Sequence, residues 1–204
     1  MQKLIRYIAV VLVVGFAPAA LANSEPADLV RSTSDEILNV LKEQAAAGER
    51  NPQVINDKLV SILEPVVDFD HFAKSVLGKH WRKASEDQRT RFIAEFRSFL
   101  IRSQTKPLTD FADTEVNVLS SRAKNEKNVA VYSEMDQNNG KQPVSVIYLF
   151  RKNKQDEWKL VNLVIEGLNL LKNFRTSFSD EINKKGIDGL IKHLAESNLR
   201  ALGQ

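Results

Sequence analysis

Apolar residues recur every three or four positions up to about Thr114, alternate with polar ones from there to Ile165, and then return to helical spacing. The chain therefore reads as helices, then strands, then helices. Ser24-Glu25-Pro26 is a good helix start, followed by a partial stripe of Leu29, Ile37, Leu38, Val40 and Leu41 that Gly48 ends. Asn51-Pro52 caps a second helix carrying Val54, Ile55, Leu59, Ile62 and Leu63, stopped by Pro65. Asp68 caps a third with Phe69, Phe72, Val76 and Leu77, closed at Gly78. Ser85-Glu-Asp-Gln88 is a capping box. It opens a long helix with Phe92, Ile93, Phe96, Phe99 and Leu100 on one face, which Pro107 kinks or ends.

The strand region resolves into four segments. Val116 and Val118 mark the first, and Val129, Val131 and Met135 the second. Asn138-Asn139-Gly140 is a strong hairpin signal. The third strand carries Val144, Val146, Tyr148 and Phe150 on one face, with Ser145, Ile147, Leu149 and Arg151 on the other. Asn153 to Asp156 turns the chain into a fourth strand from Trp158 to Ile165, interrupted at Glu166-Gly167. Leu168 to Phe178 then has helical spacing, and Gly186 to Leu190 starts a final helix. The expected fold is α+β: a four-stranded antiparallel sheet flanked by N- and C-terminal helices. An apolar cavity is expected between sheet and helices.

The N-terminus changes this picture. Lys3 and Arg6 precede an uncharged run from Ile8 to Phe16, and Ala20-Leu21-Ala22 is a small-x-small cleavage site. Residues 1–22 thus read as a signal peptide and residues 23–204 as one exported, periplasmic domain. Without Lys3 and Arg6, 27 basic residues face 26 acidic ones, so no strong basic excess points to nucleic acid. The chain has no cysteine, so the domain relies on an apolar core and not on disulfides.

The sequence holds no familiar catalytic or metal-binding pattern. His71, His80 and His193 share no ligand spacing, and the acids of Asp68-Phe-Asp70-His71 suit the positive end of a helix. No serine sits in a nucleophile elbow, and the eight glycines form no phosphate loop. What remains is an excess of apolar residues on facing elements, with Phe92, Phe96 and Phe99 placed to face the sheet valines. Patterning alone does not separate a filled core from one with a ligand-sized gap.

Three groups of residues carry a resemblance. Leu77-Gly-Lys-His-Trp81 is followed by Ala84-Ser-Glu-Asp-Gln-Arg89 and Phe92-Ile-Ala-Glu-Phe-Arg97. Glu166-Gly-Leu-Asn-Leu170 stands with Arg175 and Phe178, and Lys185-Gly-Ile-Asp-Gly-Leu190 comes after them. From about Asn51 onward the chain resembles the MlaC family of periplasmic phospholipid-binding proteins and its toluene-tolerance relatives. The resemblance implies a monomeric carrier with no cofactor besides its phospholipid cargo. Its implied partners are an outer-membrane lipoprotein–porin complex and an inner-membrane ABC transporter with an MCE-domain subunit, in a pathway that maintains outer-membrane lipid asymmetry. The implied acyl-chain lining is Phe72, Phe92, Phe96, Phe99 and Leu100 from the helices, with Val116, Val118, Val129, Val131, Val144, Val146, Tyr148, Phe150, Leu163 and Ile165 from the sheet. Arg97, Lys172 and Arg175 are the basic candidates for a headgroup or docking surface, and no residue is assigned to catalysis or to a metal. Two other classes stay open: an NTF2-like small-molecule enzyme using His71 or Glu166, and an envelope adaptor or chaperone with a filled core.

Overall fold

The structure, a computed structural model, describes residues 25–47, 51–109, 114–138, 140 and 142–202. The expected signal peptide, Gly48 and Asn139 lie outside the described residues. Four helices come first: α1 (Pro26–Ala46), α2 (Pro52–Leu63), α3 (Phe69–Leu77) and, after a 3₁₀ turn over Gly78–Arg82, α4 (Glu86–Thr109). Their starts follow from local hydrogen bonding. The Asn51 side chain accepts from the Gln53 and Val54 amides at 3.0 and 3.4 Å, and Asp68 accepts from the His71 amide at 2.8 Å. Ser85 and Gln88 close the reciprocal capping box, with each side chain accepting from the other's amide at 3.1 and 3.0 Å. Helix α4 continues through position 107 to Thr109.

The sheet has five strands, β1 (Glu115–Asn125), β2 (Asn128–Asp136), β3 (Val144–Lys152), β4 (Trp158–Ile165) and β5 (Leu168–Asn169), paired antiparallel in sequence order. The fifth strand is absent from the sequence expectation because two residues show no periodicity. It exists because Glu166 and Gly167 have φ of 48° and 76°, as the two central residues of a type I′ hairpin require, so Ile165 pairs with Leu168. Cross-strand rows follow from the register: Val129–Phe150–Leu160, Val131–Tyr148–Leu163, Ser133–Val146–Ile165 and Met135–Val144 share one face. Ala130, Ile147, Leu149, Asn162 and Val164 share the other.

Helix α5 (Leu170–Leu202) breaks at Gly186, whose φ of 74° and ψ of 174° belong to a region only glycine adopts without strain. The final helix expected from Gly186 is its second arm. A pair of asparagines sets where α5 begins. The buried Asn162 side-chain Oδ1 accepts from the Leu163 and Leu171 amides, its Nδ2 donates to Asn169 Oδ1, and Asn169 Oδ1 accepts from the Lys172 amide. The segment joining α2 to α3 is pinned to β4, since Leu160 donates to Val66 and accepts from Asp68 at 2.8 and 3.0 Å.

Buried apolar residues fall into separate groups. One is helical: Phe72, Val76 and Leu77 of α3, Phe92 and Phe96 of α4, and Phe178, Ile182, Leu190 and Leu194 of α5. A second joins Leu29 and Val30 of α1 to Val66 and to Val129, Val131 and Phe150 of the sheet. A third joins α1, α2 and α4 through Leu41, Ile55, Leu59 and Ile101, together with Phe69.

Candidate ligand-binding site

This division reorganises the expected lining. The α4 phenylalanines do not face the sheet valines. Phe96 meets Phe72, Phe92, Phe174 and Phe178 with ring centroids 5.6, 5.6, 5.7 and 5.9 Å away, so the helices close on one another. Helical spacing placed these rings on one face correctly, but α3 and α5 supply that face's partners. A side chain without accessible surface borders no open space, and Phe92, Phe96 and Val131 have none. Phe72, Val129, Val146 and Phe150 are likewise buried.

The other expected residues keep accessible apolar surface. Phe99, Leu100, Val116, Val118, Val144, Tyr148, Leu163 and Ile165 are all half-buried. Val144, Leu163 and Ile165 lie in none of the three buried groups or their margins. The same holds for Ile147, Leu149 and Val164 on the opposite face. On the helical side Leu170, Leu171 and Phe174 are also half-buried, at the margin of the helical core. These helical residues and Val164 are absent from the expected lining, because which side of a periodic stripe stays open is decided by partners distant in sequence.

Tyr148 and Ser133 interrupt the apolar sheet face. Burial raises the Tyr148 pKa above the ordinary tyrosine value, against the opposing influence of the Ser133 and Ser34 hydroxyls.

The three basic candidates part company. Arg175 donates from Nε, at 2.8 Å, and from Nη2 to the Ser75 carbonyl, capping the end of α3. Lys172 is exposed on the first turn of α5. Arg97 pairs with Glu64 at 2.7 Å and lies over the Phe69 ring. It borders a cleft of about 690 Å³ between the start of α3, the middle of α4 and the β3–β4 turn. Lys127, Arg151, Lys152, Lys154 and Lys159 line the same cleft. The run Arg151-Lys152-Asn153-Lys154 is its signal in the sequence.

The two residues held open for an enzyme have other roles. The Glu166 carboxylate accepts from the Ser145 amide, and its own amide donates to the Ser145 carbonyl, extending the β3–β4 pairing at the hairpin. His71 Nδ1 lies 3.0 Å from an Arg151 guanidinium nitrogen, which can only donate, so the imidazole accepts and is neutral. Burial, then the Arg151 charge, lowers its pKa accordingly. Among the described residues no helix is long and apolar enough to cross a membrane.

Helices closed on their own aromatic core, beside a sheet with half-buried apolar residues left outside every core, define an α+β binding domain. The chain belongs to the MlaC protein family, whose model matches residues 31–196. It is 31% identical over 189 residues to the toluene tolerance protein Ttg2D of Pseudomonas putida, covering 92% of this chain and 87% of that one. It is 24% identical over 180 residues to the intermembrane phospholipid transport system binding protein MlaC of Haemophilus influenzae, covering 87% and 84%. Among solved structures, the phospholipid-binding protein of Ralstonia solanacearum, determined with a bound phospholipid, superposes with a TM-score of 0.77. Its sequence is 27% identical, and the match covers 87% of this chain and 99% of that one.

Proposed function

We propose that this protein is a periplasmic phospholipid carrier. It shuttles lipid between an outer-membrane lipoprotein–porin complex and an inner-membrane ABC transporter with an MCE-domain subunit, and so maintains outer-membrane lipid asymmetry. Its role is binding and carriage, not catalysis. The observation that carries this reading is the set of half-buried aliphatic residues outside every core group, including Val144, Leu163 and Ile165. The kinship to a structure containing phospholipid supports the same ligand. Phe99, Leu100, Val116, Val118 and Tyr148 complete the proposed acyl-chain lining; the deeply buried Phe92, Phe96, Val131 and Phe150 support it from behind.

Energetics make carriage by exchange the reasonable mode. Two acyl chains bring about 30 methylenes, each worth about 0.8 kcal/mol when removed from water, a gross gain of roughly 24 kcal/mol. Release into water is therefore negligible. Exchange into another apolar site is nearly balanced, because aliphatic contacts are replaced by aliphatic contacts. Lipid-stripped protein should acquire phospholipid from vesicles, and Ile165→Glu should abolish uptake while Arg175→Gln leaves it intact. Equal loss in two folded variants would reject an apolar lining as the source of affinity.

A further inference from the structure

We propose that the basic cleft beside α3 is a docking groove for an acidic polypeptide segment. Arg97, Lys127, Arg151, Lys152, Lys154 and Lys159 come from α4, the β1–β2 turn, the end of β3, the following turn and β4. Against these six cations the lining holds three carboxylates, Glu64, Asp68 and Asp70. The lining thus has three more cations than carboxylates; Asp156 and Glu157 pair with Lys152 and Lys159 at its edge, so the attraction for a further anion rests on Lys127, Arg151 and Lys154. Charge of one sign gathered in a concavity focuses the field and attracts anionic groups.

Several of these cations are held in place before any partner arrives. Arg97 is fixed by Glu64 and the Phe69 ring. Arg151 is fixed by neutral His71. Lys152 pairs with Asp156 at 2.8 Å over the Trp158 ring, and Lys159 pairs with Glu157 at 3.1 Å while donating to the Pro65 carbonyl. Lys127 and Lys154 are exposed, and among the described residues no carboxylate pairs with either. Held cations lower the ordering cost of binding, and the two unpaired lysines gain most from an added carboxylate.

The cleft's mixed lining selects the occupant. A compact phosphate dianion entering it would meet Asp68 and Asp70 as well as the lysines, and four of the six cations are lysines, which act as point charges and not as planar forks. A polypeptide with spaced carboxylates can place each beside a lysine and turn its backbone amides toward the aspartates. A flat anionic membrane does not enter a concavity. This inference is independent of the lipid cavity.

The test uses the exported chain, a fluorescent glutamate-rich peptide and its glutamine counterpart. The glutamate peptide should bind with strong salt dependence and the glutamine peptide at least tenfold more weakly. Carbodiimide coupling of peptide carboxylates should map to Lys127 and Lys154 by mass spectrometry. Lys127→Gln with Lys154→Gln should weaken binding about tenfold with an unchanged melting temperature, whereas Lys172→Gln with Lys192→Gln should not. Cross-links spread evenly over the surface lysines, or equal losses in both double variants, would overturn the proposal. So would displacement of the peptide by inorganic phosphate at matched charge, which would mark a phosphate site. Binding to phosphatidylglycerol vesicles that the cleft variant loses, without loss of peptide binding, would overturn it in favour of a membrane.

Discussion

Replacing Phe96 by alanine separates the helical core from the half-buried sheet face. Phe96 has no accessible surface and touches four other rings, from α3, α4 and one face of the first arm of α5. Truncating a fully buried phenylalanine costs about 3–5 kcal/mol, since transfer free energy is lost and a cavity remains. Each aromatic pair adds about 0.5–1.5 kcal/mol of its own, so the upper half of that range is expected. In a domain of this length a loss of about 4 kcal/mol lowers the melting temperature by roughly 8–16 °C. Leu163→Ala is the counterpart. Leu163 is half-buried and outside the core groups, so the expected loss is about 1 kcal/mol. Both variants should be measured lipid-stripped by urea denaturation followed by circular dichroism, because bound lipid adds stability by mass action. A loss below about 1 kcal/mol for Phe96→Ala would refute the division into a closed helical core and a separate sheet face.

Gly186→Ala should cost about 1–3 kcal/mol although a Cβ there meets nothing within 4 Å, because the backbone conformation alone is strained; an unchanged urea midpoint would contradict this. Asp68→Ala removes the α3 cap and should cost about 1 kcal/mol by the same assay, with Asp68→Asn recovering most of it. His80 is buried against the Ser179 hydroxyl at 3.0 Å, and burial lowers its pKa below the usual 6.5, as it does for His71. The unfolded chain then binds more protons than the native one as pH falls through 6.5, so the stability these neutral imidazoles allow is present above that pH and lost below it. His80→Gln should flatten the fall in urea midpoint between neutral and mildly acidic pH, and an unaltered pH profile would count against a buried neutral His80.

Much of this architecture was legible locally. Asn51, Asp68 and the Ser85–Gln88 box cap helices because a cap needs only three or four neighbouring residues. Alternation placed Val144, Val146, Tyr148 and Phe150 on one face for the same reason. What the local pattern did not carry was long-range. Phe96 meets Phe174 and Phe178 rather than Val131 because α5 returns to pack on α4, a choice made some eighty residues downstream. Arg175 looks like a free cation until α3 lies beside it and offers the Ser75 carbonyl. The basic cleft gathers Arg97, Lys127 and Lys159 from elements that are not neighbours in sequence. The helix face and strand faces were readable, whereas the side that keeps accessible apolar surface was not.

Native mass spectrometry of the protein purified from the periplasm, followed by solvent extraction and lipid identification, tests the carrier reading most directly. The account predicts an added mass matching intact phospholipid, lost on extraction and restored by phospholipid vesicles. A clean unliganded mass that vesicles leave unchanged would contradict it.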